Sequence, residues 1–508
     1  MKFVVTEDLK YLRLQEITQE ELDQLELSFK KRIRGHFWNP LVKKKIWDGF
    51  VYFFKNNMIP SGLWLELEKM CTTYSFPLEI NGMDRLIDKD FDEAGFRLWV
   101  EEFFSDHPTY KPRDYQIDSA VKILRFKISS SQIATSAGKT LIAFIVWGWL
   151  KHLDLKKASN KGTKMLIIVP NVTLVMQLKE DWDEYNRDKL PLKIRQVYGG
   201  SRDNDINVDV IVGTFQSLVR KTVNYFKGMD VIFVDEAHQA KTTSIKAVLS
   251  KCLDSEYRFG LSGTLQEDES ADFWTVTALL GPVVHNISPK FLFKEGYATP
   301  VKFKIIVLQY KNEEIRKKLY NIRKSRQLEG SAILALEKNM VVQSRARFNF
   351  IVNLAKKTTK NTLILFSNVK DQYGKKLFES IKENTDKECF YVDGSVGKDQ
   401  RDFFKKEMEE GSNRVLIASF TTFSTGISIK NIHNIIFVES YKSEIIVKQS
   451  IGRGMRQMAE GKDSFQIIDI VDDMCYEKSS NFLYKHAKTR LEYYKQYSTD
   501  ITIHKFPI

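Results

Sequence analysis

The stretch Ala134-Thr135-Ser136-Ala137-Gly138-Lys139-Thr140 runs directly into the apolar run Leu141–Leu150, LIAFIVWGWL. Its reading decides the fold. A loop of small residues opening a buried helix brings backbone N–H groups and the positive end of the helix dipole to one point, where an anion is favoured. Lys139 adds a point charge, and the Thr140 hydroxyl can ligate Mg²⁺. The loop fits the phosphate-cradling pattern G-x-x-x-x-G-K-[ST] from Gly138 onward, whereas Ile133 stands where its first glycine belongs.

Downstream, the apolar strand pattern Val231–Val234 ends in Asp235-Glu236-Ala237-His238. Carboxylates at the C-terminal end of a parallel strand face the usual ligand crevice. Asp235 is expected to hold Mg²⁺ and Glu236 to polarise a water attacking a γ-phosphate. Further on comes Gln449-Ser450-Ile451-Gly452-Arg453-Gly454-Met455-Arg456. Arg453 and Arg456 share a helix face and are expected to neutralise charge on a transferred phosphoryl group.

Around these motifs, apolar strand patterns alternate with amphipathic ones, at Lys164–Val169, Val208–Val212, Val231–Val234 and Arg258–Leu261. A second series occupies Thr362–Phe366, Cys389–Val392, Arg414–Ile417, Asn434–Val438 and Gln466–Ile470. Such alternation predicts two parallel sheets, each covered on both faces. The fold class is therefore α/β, with two tandem layers after a small α+β N-terminal module. The expected boundaries are 1–106, 107–290 and 291–508, with a linker at His107–Pro112, a hinge near Gly281 to Pro300 and a site fed by both layers.

The 508 residues carry 78 Lys and Arg against 65 acids, a net charge of +13 that suits a polyanionic partner. Cys71, Cys252, Cys389 and Cys475 have no zinc-ligand spacing and read as thiols of a reducing compartment. The N-terminus lacks the layout of a secretory signal. The longest apolar run falls short of the ~18–20 residues that span a bilayer. A soluble, cytoplasmic protein with no membrane partner is expected.

Taken in order, the motifs resemble those of superfamily 2 helicases and translocases from about Arg113 to the C-terminus. Arg113-Asp114-Tyr115-Gln116 resembles the adenine-reading glutamine motif, and the Lys139-Thr140 loop resembles motif I. Asp235 to His238 resembles a DEAH-type motif II, and Ser262-Gly263-Thr264 resembles motif III. Thr425-Gly426-Ile427-Ser428 resembles motif V, and Gln449 to Arg456 motif VI. The resemblance implies two RecA-like domains binding ATP and Mg²⁺. It implies nucleotide contacts from Arg113, Gln116, Thr135, Ser136, Ala137, Gly138, Lys139, Thr140 and Gly426. Catalysis would fall to Lys139, Asp235, Glu236, Gln449, Arg453 and Arg456. Strand contacts are implied for Pro170, Asn171, Gly213, Thr214, Ser367, Gly394, Ser395 and Thr425.

The loop, the segment Phe423–Asn431 and the N-terminal pieces Phe37–Pro40, Trp47–Gly49 and Pro60–Leu63 resemble the phage UvsW helicases more specifically. That likeness implies a monomeric DNA motor that drives branch migration and fork reversal, with other recombination proteins as further partners. An RNA helicase and an ATP-gated binding protein that does not translocate are the competing readings. The short stretch after Arg456 argues against the large C-terminal domains of DEAH-type RNA helicases.

In the first hundred residues, Lys30, Lys31, Arg32 and Arg34 precede His36-Phe37-Trp38, and Lys43, Lys44 and Lys45 precede Ile46-Trp47. Interleaved cations and aromatics suit a duplex grip or stacking on exposed bases. Aromatics facing a small core beneath wet lysines fit the same pattern.

Overall fold

A computed structural model describes residues 1–157, 163–201, 207–265, 268–325, 328–367, 372–426, 429–441, 444–455, 462 and 464–508. The chain gathers into two units, Met1–Ser288 and Pro289–Ile508.

The first unit begins with strands β1 (Lys2–Val5), β2 (Tyr11–Glu16), β3 (Lys30–Arg32), β4 (Phe50–Tyr52), β5 (Met58–Pro60) and β6 (Glu79–Asn81). Four of these form a mixed sheet in the order β5-β2-β1-β6, and β3 pairs with β4 alone. The helix Gln19–Ser28 starts at a capping box, with Thr18 and Glu21 each bonding the other's backbone N–H. The small core of this region includes Phe3, Leu12, Leu25, Phe29, Ile59 and Leu67, but also Ile128 and Trp274 from beyond it. A Cβ on Gly62 would lie 2.1 Å from the Thr277 carbonyl oxygen, so only glycine allows this backbone to approach the helix Ala271–Leu280.

The segment His107–Pro112 is docked rather than slack. His107 is buried, its Nδ1 accepts from the Thr109 and Tyr110 N–H groups, and Tyr110 packs edge-on against Tyr185. The expected linker is thus fastened by its own aromatic and imidazole side chains.

Seven strands follow: β7 (Ile128–Ile133), β8 (Met165–Val169), β9 (Ile194–Val197), β10 (Val210–Thr214), β11 (Val231–Asp235), β12 (Tyr257–Ser262) and β13 (Val283–Ile287). They make one sheet in the order β13-β7-β12-β11-β8-β10-β9, parallel in every described pairing. The helix Lys139–Lys156 is buried around most of its circumference, as an all-round apolar sequence requires. It is covered by Phe96 and Trp99 against Trp149 and by Trp182 against Phe144.

The second unit repeats the architecture with β14 (Val301–Gln309), β15 (Thr362–Phe366), β16 (Cys389–Val392), β17 (Val415–Ser419), β18 (Asn434–Phe437), β19 (Phe465–Asp473) and β20 (Ile501–Pro507). The order is β16-β17-β15-β18-β19-β14-β20, again parallel in the described pairings. Two tandem RecA-like sheets after a small α+β region are therefore the observed fold class.

Buried ion pairs fasten helices to both faces of the second sheet. Asp469 and Asp472 on β19 are an odd number of residues apart and so point to opposite faces. Arg347, from the helix Arg345–Lys357, forks onto Asp472 at 2.7 and 3.1 Å. Arg490, from the helix Phe482–Lys495, forks onto Asp469 at 2.8 and 2.9 Å. Tyr310 and Tyr494 donate to the same two carboxylates, so the remaining lone pairs are served. The four cysteines are unpaired.

Candidate nucleotide-binding site

The site of the first unit forms along the C-terminal rim of its sheet, where β7, β11 and β12 end. β7 delivers the chain into the loop Ala134–Gly138, and the helix starts at Lys139. Ser136 and Gly138 both take left-handed backbone conformations, with φ of 70° and 80°. The loop thereby curls and presents its N–H groups inward. The φ of Gly138 favours glycine, and a Cβ there would sit 2.3 Å from Gln116 Nε2 and displace that amide.

Gln116 is the brace of this loop. Its Nε2 donates to the Ala137 carbonyl at 2.9 Å, and its Oε1 accepts from the Arg113 N–H at 2.9 Å. Tyr115 donates its hydroxyl to the same carbonyl at 3.0 Å. Arg113 and Gln116 therefore lie beside the loop, with the glutamine amide tying one to the other. The Tyr115 contact was not read from the sequence; an aromatic one residue before a glutamine carries no signal of its partner.

Opposite the loop, Glu236 takes a left-handed conformation with φ 52°. A non-glycine residue held there costs about 1–3 kcal/mol and persists only when its surroundings impose it. Its carboxylate accepts from Lys139 Nζ at 2.9 Å, and Asp235 Oδ1 lies 3.7 Å from the same ammonium. All three side chains are largely buried. Burial opposes the charge on Lys139, yet Glu236 and then Asp235 outweigh it and hold the ammonium above the ordinary lysine value. Burial opposes Glu236 as well, but Lys139 and His238 outweigh it and keep this carboxyl well below the usual range. Asp235 goes the other way: burial raises it, Lys139 only partly offsets that, and Glu236 adds to the rise.

A hydroxyl network joins this acidic pair to the next strand. His238 Nδ1 faces Ser262 Oγ at 2.9 Å and Thr264 Oγ1 at 3.1 Å, and Glu236 Oε2 lies 3.4 Å from the same ring nitrogen. The sequence marked both segments but not their junction, because residues so far apart meet only through the adjacency of β11 and β12.

Among the described residues, no cluster of three His, Cys, Asp or Glu forms a metal cage. Mg²⁺ takes one or two protein ligands and completes its shell with waters and substrate phosphates. Thr140, at the second position of the helix, and Asp235 are the residues whose chemistry fits it.

The expected strand contacts fall into distinct environments. Asn171 caps the helix Val172–Asn186 by accepting from Leu174 N–H at 3.0 Å, beside half-buried Pro170. Gly213 and Thr214 are buried; a Cβ on the glycine would meet Leu218 at 2.8 Å, and the threonine hydroxyl donates to Ser217. In the second unit, Ser367 is bonded to Glu439 through its N–H at 3.0 Å and through its hydroxyl. Gly394 and Ser395 are exposed, the serine folded back onto Asp393.

Gln449 is half-buried in the helix Glu444–Gly454, which also carries Arg453. Thr425 and Gly426 end the helix Phe420–Gly426. The side chains of Thr425, Gly426 and Arg453, and the whole of Arg456, lie outside the described residues. In the N-terminal region Lys31 pairs with Glu269 and covers the Trp274 ring at 4.0 Å, whereas Arg32, Lys43, Lys44 and Lys45 are exposed and Lys30 is half-buried.

Residues 109–267 match the family model of the type III restriction enzyme res subunit, and residues 346–458 match that of the helicase conserved C-terminal domain. The ATP-dependent DNA helicase uvsW of Enterobacteria phage T4 is 29% identical over 508 residues, covering 96% of each chain. The chain carries both helicase domains and is similar to that helicase along nearly its whole length. Likeness of fold extends this helicase to a solved fragment of a putative HsdR subunit of a type I restriction enzyme from Vibrio vulnificus. That fragment has a TM-score of 0.56 at 15% identity, over 87% of this chain and 73% of the other. The solved Saccharomyces cerevisiae Dbp5 bound to RNA aligns with a TM-score of 0.54 at 15% identity, over 82% of this chain and 96% of the other. No helix of the helicase among the described residues is long and apolar enough to cross a membrane.

Proposed function

We propose that this helicase is an ATP-driven motor that remodels branched DNA, moving four-way junctions, reversing forks and unwinding duplex. The observation that carries the reading is the Lys139–Glu236 pair beneath a left-handed loop, tied through His238 to Ser262 and Thr264. A general base held by a cation waits for a substrate that will draw the cation away. Lys139 turns to the β- and γ-phosphates of ATP, and Glu236 is freed to accept a proton. The water oxygen bonds the γ-phosphorus, the bridging P–O bond breaks, ADP departs and the water's proton passes to Glu236. Thr140 and Asp235 would hold Mg²⁺, which would supply charge neutralisation at the phosphates. Gln449, Arg453 and Arg456 are the proposed partners that complete hydrolysis, worth about 10³–10⁵ in rate for an arginine of this kind. Movement of the Glu236 carboxylate is passed to Ser262 and Thr264 through the His238 ring.

DNA as the track rests on the end-to-end match to a relative named as a DNA helicase and on the +13 charge. Exposed Gly394, with open space around its α-carbon, is the strand contact best suited to a close phosphate approach. The test is migration of a synthetic four-way junction by the full chain with ATP. Resolution of the junction into two duplexes supports the reading. Binding without movement, with ATP turnover intact, would make the protein an ATP-gated binder.

A further inference from the structure

Between β3 and β4 the chain leaves the body as an arm, and its tip carries the largest aromatic exposure in the N-terminal region. Phe37 and Trp38 are 56% and 64% exposed, and Leu41 and Ile46 are 48% and 69% exposed. The tip is nonetheless built, not frayed. Asn39 caps the short turn Pro40–Lys43 by accepting from Leu41 N–H at 2.9 Å, and Ile46 and Trp47 both donate to the Leu41 carbonyl. Gly35 and Gly49 turn the chain with φ of 74° and 82°, and Trp47 Nε1 donates to the Phe50 carbonyl at 3.0 Å.

The arm is charged on one sign. From Lys30 to Gly49 there are seven Lys and Arg and a single acid, Asp48. Lys43 Nζ lies 5.3 Å from the centre of the Trp38 ring. Protein interfaces exclude charge from their apolar centre, so a dense cationic collar around exposed rings disfavours a protein partner. A polyanion that itself offers aromatic faces satisfies both features, and unpaired nucleic-acid bases are that partner.

The root of the arm is fixed to the motor domain. Trp274 is packed by Phe29 at 5.3 Å and Phe53 at 5.5 Å, and Lys31 covers its ring while pairing with Glu269. Trp274 lies on the helix Ala271–Leu280, shortly after Thr264 of the His238 network.

We infer that this tip is a base-stacking pin: Phe37 and Trp38 stack on the unpaired bases at a DNA branch point while Lys43, Lys44 and Lys45 hold the flanking phosphates. The inference rests on the DNA-remodelling reading and adds the residues that recognise the branch.

The experiment compares full-length Phe37→Ala/Trp38→Ala with the unsubstituted chain, measuring affinity for a fork with unpaired arms and for a blunt duplex of equal length. Both rings are mostly solvent-facing, so their removal takes no core contact away. The fork-to-duplex affinity ratio is expected to fall about tenfold, the order of one lost base–aromatic stack, with duplex affinity unchanged. A 2-aminopurine at the branch should be quenched by the unsubstituted chain and not by the variant. An unchanged ratio, or an equal loss on both DNAs, overturns the pin. Absence of any DNA-stimulated ATPase in the unsubstituted chain would instead overturn the motor reading beneath it.

Discussion

Lys139 Nζ donates to Glu236 Oε1 at 2.9 Å, so the ammonium suited to phosphates is already held by the carboxylate suited to activate water. In the proposed cycle the pair keeps the base occupied until a triphosphate competes for the cation. Glu236→Gln is expected to lower turnover by about 10²–10⁴-fold, the range for loss of a general base. ATP binding should persist, because the lysine is then released rather than removed. Lys139→Ala should lose binding and turnover together. Equilibrium nucleotide binding set beside single-turnover hydrolysis separates the two.

Acidification is expected to act first on Asp235. Burial places its pKa above the ordinary aspartate value, whereas Lys139 and His238 hold Glu236 below the usual range. The raised value means that Asp235 takes up its proton while Glu236 is still ionised. Glu236's contribution to stability is present above its unfolded pKa and is lost only as pH falls through its depressed folded value. The acid limb of ATPase kcat/KM should therefore report Asp235. Higher Mg²⁺ should move that limb to lower pH, because the metal competes with the proton for the carboxylate. A limb insensitive to Mg²⁺ would remove Asp235 from the proposed metal site.

Gly138→Ala places a Cβ 2.3 Å from Gln116 Nε2 at a φ of 80°. A strained left-handed residue costs about 1–3 kcal/mol, and here the strain falls on the proposed phosphate loop. KM for ATP should rise more than kcat falls. Gln116→Ala should reproduce part of that rise by releasing the Ala137 carbonyl. Steady-state kinetics of the two variants and their combination, with less than additive effects, would place both changes in one loop.

Arg347→Met is expected to destabilise the second unit by about 3–5 kcal/mol, because Asp472 would be left buried without its cation. Replacing both residues by apolar ones should recover much of the loss. Denaturant midpoints of the single and double variants measure it. A single variant as stable as the unsubstituted chain would contradict the clamp.

The strands legible from sequence were the apolar ones. Thr362–Phe366, inside its sheet, lies where the apolar run placed it, because a strand covered on both faces must be apolar throughout, and Cys389–Val392 at the sheet edge was legible by its β-branched and aromatic residues. β7 was not legible: Ser129, Ser130 and Ser131 are buried in it, and three serines read as a loop. β20, exposed along nearly its whole length, and β14, with Lys302 and Lys304 interrupting its apolar pattern, were invisible for the same reason. The Ala134–Gly138 loop and the Asp235–Glu236 pair were legible as motifs, since the proposed chemistry fixes residue type and order there. The brace from Gln116 to Ala137 and the junction of His238 with Ser262 depend on contacts across the fold, which local pattern does not encode. Lys31 shows the converse: its sequence context groups it with surface cations, yet Trp274 and Glu269 claim it.

The most direct test is the ATPase rate of the full chain with a four-way junction, a fork, linear duplex, single-stranded DNA and RNA, each at saturation and equal salt. The motor reading expects the branched DNAs to stimulate hydrolysis well above linear duplex, and RNA to leave it near the basal rate. Stimulation by RNA equal to that by junction DNA, or a basal rate that no nucleic acid raises, would contradict it.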